Sequence, residues 1–184
     1  MKIFKFAMLI LIAINLSGCL AKQAPKLDFY ALNYKTNKIC NNENSKKIYI
    51  DRIEISPIYQ TRDILIFNDE KIEILNNSKF IAYPNLMLEN ALTSFLNEDC
   101  NFTVTNDKNL SDIKVKIYIN EIYISKNKTR ISLNAIISQA DKNREFTILK
   151  EKDINHFNSS NAILALNSNL KDLFNELLAK LNDN

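Results

Sequence analysis

Glycine is nearly missing from this chain: Gly18 is the only one in 184 residues. Phosphate-cradling loops of the GxGxxG and GxxxxGK[ST] kinds put glycine where the backbone turns tightly or approaches the ligand, so nucleotide binding of those types is excluded. Histidine is equally scarce, with one residue, and cysteine contributes three. One histidine and the cysteines Cys40 and Cys100, far apart in sequence, offer no recognisable zinc spacing, so neither a metal nor a cofactor is expected. The net charge is only +3, with no basic block or tail, which argues against nucleic acid as a partner. Tryptophan is absent altogether.

What the chain does have begins at the N-terminus. Lys2 and Lys5 precede the apolar run "FAMLILIAI", which ends at Ile14. A helix needs about 20 apolar residues to span a bilayer, and this run is far shorter, as in a cleaved signal peptide. The following "LSGC", Leu16 to Cys19, resembles a bacterial lipobox. That resemblance implies cleavage between Gly18 and Cys19, a diacylglycerol on the Cys19 thiol, and acylation of the new amino terminus with a fatty chain such as palmitate. The lone glycine is then a small residue for a peptidase pocket. Leu20 and Ala21 stand where an aspartate would imply retention in the inner membrane, so the expected location is the periplasmic face of the outer membrane. Each buried methylene contributes about 0.8 kcal/mol, so two or more chains anchor stably and the domain itself needs no headgroup-binding site.

Removal of residues 1–18 takes Lys2 and Lys5 with it and leaves a nearly neutral chain of about 166 residues, enough for one domain with a real core. The expected organisation is a signal peptide at 1–18, a lipidated cysteine and tether with a docking segment at 19–45, and a single domain at 46–184. The docking segment is "LDFYALNY", Leu27 to Tyr34, whose aromatics a disordered tail would not need. Lipidation of Cys19 leaves Cys40 and Cys100. In an oxidising periplasm an even remainder suggests a disulfide, and two buried free thiols are the alternative.

Strand signals dominate from Lys46. "KKIYIDRIEIS" alternates through Ile48 and Ile50, then Ile53 and Ile55, and the three-residue step between the pairs implies a bulge or a change of buried face. "DILIF" and "KIEIL" flank "NDE" as a hairpin, and "KFIAY" reads as a short separate extended piece. Pro84 then opens an amphipathic helix with Leu88, Ala91, Leu92, Phe95 and Leu96 at helical spacing, ending near Asp99. After "NFTVT", the runs Asp112 to Ser125, Thr129 to Ala140 and Arg144 to Ile154 are joined by short polar connections, as in an antiparallel meander. A last helix is expected from about Ser159 to Leu181, capped by Ser159 or Ser160. Without glycine, tight turns fall to asparagine and aspartate, as in "FNDE", "ILNNSK" and "QADKNR". The fold class is α+β: a mostly antiparallel sheet with two amphipathic helices packed on one face.

Chemistry-bearing residues are few. His156, in "INHFNSS", has the side chain of a general base but no serine or cysteine motif beside it, and a loop or capping role is the commoner one. The acidic stretches Asn68 to Glu73 and Asn97 to Asp99 fall in turns and are expected to be solvated. Tyr118 and Tyr123 sit on alternating strands, either as sheet-face packing or as an exposed docking surface.

Several segments together resemble the ABC-type transport auxiliary lipoprotein family, encoded with mammalian-cell-entry (MCE) domain lipid transport systems of the Mla and paraquat-inducible kinds. "FYALNY" is similar to the family's aromatic-Tyr-x-Leu opening through Tyr30 and Leu32. The block from Ile48 to Leu96 is similar to its strand, proline-containing loop ending in Thr-Arg, hairpin and aromatic-x-x-x-Pro step, through Pro57, Thr61, Arg62, Phe80 and Pro84. Phe80 stands where members commonly have tryptophan. The resemblance implies a non-enzymatic periplasmic lipoprotein in the outer membrane that meets an MCE-domain phospholipid carrier, with transport energy supplied by an ATPase elsewhere. Thr61 and Arg62 are then candidates for the partner-facing surface, against a plain polar turn with Arg62 in a salt bridge. Competing readings are a lipopolysaccharide-assembly type of outer-membrane lipoprotein and a small periplasmic hydrolase built around His156.

Overall fold

A computed structural model describes residues 25–34, 40, 44–140 and 142–183. The expected signal peptide and Cys19 lie outside the described residues. Among the described residues, nine strands and two α-helices follow in the order β1 (Asp28–Tyr30), β2 (Lys46–Ile50), β3 (Glu54–Ile55), β4 (Asp63–Asn68), β5 (Lys71–Phe80), α1 (Pro84–Glu98), β6 (Phe102–Thr105), β7 (Ile113–Ile124), β8 (Lys128–Gln139), β9 (Lys142–Asp153) and α2 (Ser159–Asn182). The architecture is α+β.

The strands form two sheets where the sequence pattern suggested one. The larger has the order β6-β2-β7-β8-β9, with β3 also on β7, and the smaller has the order β1-β5-β4. β7, β8 and β9 make the expected antiparallel meander: Ile113 lies opposite Gln139 with a register shift between Ile119 and Glu121, and β8 and β9 pair from Lys128 opposite Asp153 to Gln139 opposite Lys142. β1, β2, β3 and β6 join through parallel pairings, so the large sheet is mixed. Such pairings link segments distant in sequence and leave no local turn signal.

The three-residue step between Ile50 and Ile53 is a real irregularity. Ile50 pairs with Val115 and Glu54 with Tyr118, so four residues advance against three on β7. The extra residue lets Ile48, Ile53 and Ile55 all enter the core. "ILNNSK" is a bulge within one ten-residue strand, with no turn, and "KFIAY" is therefore not a separate piece. Leu65 pairs with Ile74 but Asp63 with Lys79, and Asn77 absorbs the excess at φ 56°. Asparagine tolerates that left-handed conformation better than most residues.

The apolar stripe of α1, including Leu88, Leu92 and Leu96, is buried, as is that of α2 from Leu166 through Leu181. The helices meet each other through Phe95 and Phe174, whose ring centroids are 5.5 Å apart, and cover the buried side of the large sheet. Each such buried side chain contributes about 1.5–3 kcal/mol. Pro84 starts α1 at its first turn with Tyr83 extended before it. The cap of α2 is Asn158, one residue before the expected serines; its side chain accepts from the Asn161 N–H at 2.8 Å.

The segment after β1 docks firmly. Leu32 is buried, Ala31 accepts a hydrogen bond from Asn167 on α2, and the Tyr34 ring stands edge-on to Phe95. Among the described residues, no helix is long and apolar enough to cross a membrane.

Candidate partner-facing surface

Thr61 and Arg62 lie in the link between a 3-10 turn at Pro57–Tyr59 and β4. The Thr61 hydroxyl accepts from the Asp63 N–H at 3.1 Å, which fixes the entry into the strand. Arg62 clamps the small sheet. Its Nε donates to the Phe80 carbonyl at 3.0 Å, its own carbonyl accepts from the Phe80 N–H, and its guanidinium lies 5.7 Å from the centre of the Phe29 ring. The salt bridge considered for a plain turn is replaced by these contacts, which join β1, β4 and β5. The guanidinium and the Phe29 ring are both on the surface, and such a cation–π contact contributes about 0.5–1 kcal/mol at an exposed site.

Beside this clamp runs a groove of roughly 320 Å³ lined by Arg52, Gln60, Tyr83, Asn85 and Leu86. Tyr83 and Leu86 are about half exposed, on the first turn of α1 and the residue before it. Tyrosine and arginine at a concave surface are residue types that carry binding energy at protein interfaces. Nothing in the sequence pattern singled out Tyr83 or Leu86, because an exposed apolar residue at a helix start looks like any other position of an amphipathic helix.

The two tyrosines expected on strands behave as packing residues at this end of the large sheet. Tyr123 stacks on Phe67 of the hairpin, with centroids 4.9 Å apart, and carries the Arg130 guanidinium on its ring at 4.8 Å. Arg130 in turn pairs with Glu121 and Glu151. Tyr118 is half-buried opposite Asn134. Nearby, burial raises the Tyr59 hydroxyl above its usual pKa, and the Glu121 carboxylate adds to the effect.

Cys40 and Cys100 are joined by a disulfide across a sequence separation of 60, tying the stretch after β1 to the end of α1. A second groove, roughly 390 Å³, opens beside the bridge between Phe95, Asn175 and Leu178. There the Tyr34 hydroxyl donates to the Glu98 carboxylate. The Asn97–Asp99 stretch is not simply solvated: Asn97 accepts from the Val104 N–H and Asp99 from the Asn101 N–H, so both shape the turn from α1 into β6.

His156 is exposed on the loop before α2, and its backbone carbonyl accepts from Asn161. None of the grooves described above includes it. Among the described residues, no group of three or more histidine, cysteine, aspartate or glutamate side chains is placed to hold a metal ion.

No protein-family model and no curated protein matches the sequence. Solved structures do resemble it in fold. An uncharacterized protein superposes with a TM-score of 0.72 at 11% identity, over 85% of this chain and 99% of its own. The Xanthomonas campestris protein XCC0632, of family DUF330, superposes with a TM-score of 0.65 at 14% identity, over 82% of this chain and 92% of its own. At these identities the likeness is one of fold.

Proposed function

We infer that this protein is a lipid-anchored periplasmic lipoprotein of the outer membrane, acting as a non-enzymatic auxiliary component of an MCE-type phospholipid transport system. The lipobox-like "LSGC" supports the anchor, and the matching positions from Tyr30 to Pro84 support the transport role. The observation that carries the reading is the surface at Thr61–Arg62. The residues that match the family's Thr-Arg motif directly follow Gln60, which lines a groove offering Arg52, Tyr83 and Leu86 to a protein partner. Phe80 and Pro84, two of the other matching positions, are buried, and Phe80 holds Arg62 through its backbone.

Copurification of the native lipoprotein from membranes tests the reading. An MCE-domain protein is expected in the eluate, and its loss is expected with Tyr83→Ala and Arg62→Glu. Recovery of no transporter component overturns the transport role. Unchanged copurification of both variants overturns only the surface.

A further inference from the structure

Exposed apolar side chains are unevenly spread. Among the described residues, eight of the eleven large exposed hydrophobics lie between Leu27 and Leu86, on the small sheet and the segments beside it. Leu27, Phe29 and Ile81 are 44%, 53% and 60% exposed. They are neighbours: Phe29 pairs with Lys79, and the Ile81 N–H donates to the Tyr30 carbonyl. A concentration of apolar surface of this kind marks a place that another apolar phase or partner covers.

The chain enters the fold at this same place. Only six peptide steps separate Cys19 from Pro25, and fully extended they reach at most about 20 Å. An anchor on Cys19 therefore holds β1 and its neighbours close to the bilayer, whatever path those steps take. Tethering at such range raises the effective concentration to about millimolar, so shallow insertion of a few side chains is enough for lasting contact. The local charge is mixed, with Lys79 paired to Asp63, so the contact rests on apolar insertion rather than attraction to anionic headgroups.

We propose that the small-sheet end of the domain rests on the bilayer that holds the anchor, with Leu27, Phe29 and Ile81 at the boundary between headgroups and acyl chains. This rests on the lipoprotein reading above. It orients the molecule: the Arg52–Tyr83–Leu86 groove adjoins the membrane surface, while β6 and the start of β7 point into the periplasm. The twelve residues of β7 separate the two ends by roughly 40 Å.

The absence of tryptophan makes the test direct, since one introduced indole is the only one present. Full-length, membrane-matured Leu27→Trp, Phe29→Trp and Ile81→Trp proteins are reconstituted in phosphatidylethanolamine and phosphatidylglycerol vesicles, with and without brominated acyl chains. Leu110→Trp, at a site 60% exposed before β7, is the reference. Blue-shifted emission quenched by bromolipid is expected at 27, 29 and 81, with unshifted, unquenched emission at 110. Leu27→Trp leaves the Arg62–Phe29 contact intact, so a folding defect at 29 alone does not decide the outcome. Emission at all three sites equal to that at 110 overturns the proposal, as does shielding by a copurifying protein without bromolipid quenching. Intact mass separates the causes: an unacylated Cys19 overturns the anchor as well, whereas an acylated protein with no quenching overturns the membrane contact alone.

Discussion

Asn169 on α2 and Thr129 at the start of β8 meet with no exposure of either: the Asn169 amide donates to both the carbonyl and the hydroxyl of Thr129, at 3.0 Å each. This pair fixes the helix against the sheet, in register and rotation, within an otherwise apolar layer. Among the described residues, the Asn169 side-chain oxygen has no hydrogen-bond partner. Asn169→Ala leaves the Thr129 carbonyl without its side-chain donor and opens a small void, at an expected cost of about 1–3 kcal/mol. Asn169→Asp sets a carboxylate against the carbonyl and is expected to cost more. Urea unfolding of both variants checks the order.

The disulfide between Cys40 and Cys100 closes a 60-residue separation. In the chain-entropy account a loop of that size contributes about 4 kcal/mol by restricting the unfolded chain. Cys40→Ser with Cys100→Ser is expected to lower the unfolding midpoint strongly, and reduction of the native protein is expected to lower it equally. A midpoint insensitive to reductant contradicts the assignment.

Tyr34 is held protonated. Its hydrogen bond to Glu98, then burial, then the Glu98 charge raise its pKa from 10.0 to about 12. The folded state therefore holds this proton more tightly than the unfolded state. The stability it contributes is fully present below about pH 10 and is lost as the pH rises towards 12. Tyr34→Phe is expected to be less stable at neutral pH for want of the hydrogen bond, yet to lose less stability between pH 10 and 12. Unfolding midpoints across that range, compared with Tyr59→Phe to separate the second raised tyrosine, check the sign.

A chain almost without glycine must use other residues in left-handed backbone. Asp69, Asn77 and Ala140 have φ of 53°, 56° and 50°. Aspartate and asparagine tolerate this region, but alanine gains nothing there and pays about 1–2 kcal/mol for its Cβ. Ala140→Gly is expected to stabilise the β8–β9 turn by up to about 1 kcal/mol after the extra freedom of glycine in the unfolded chain is counted. Thermal melts of Ala140→Gly and Ala140→Val should move in opposite directions.

Much of the fold was legible locally. The periodicity of Leu88, Leu92 and Leu96 and of Leu166 through Leu181 placed both helices, because burial of one face leaves its period in the sequence. The β7–β8–β9 meander was legible for the same reason, with short polar connections setting antiparallel order. The site was less so. The Thr61–Arg62 pair stood out only through a family likeness. Its clamp depends on Phe29 and Phe80, residues far along the chain that no local pattern connects to Arg62.

The sequence by itself determined the α+β class, the two helices and the antiparallel meander, since each follows from residue type and local period. Only the tertiary structure decided the rest: the split into two sheets, the parallel seats of β1, β2, β3 and β6, the bulge at Asn77 and the gathering of exposed apolar side chains beside β1. These depend on which distant backbone edges meet and which apolar faces remain uncovered. Such outcomes come from the competition of the whole chain for burial and hydrogen bonds, and no single segment encodes them.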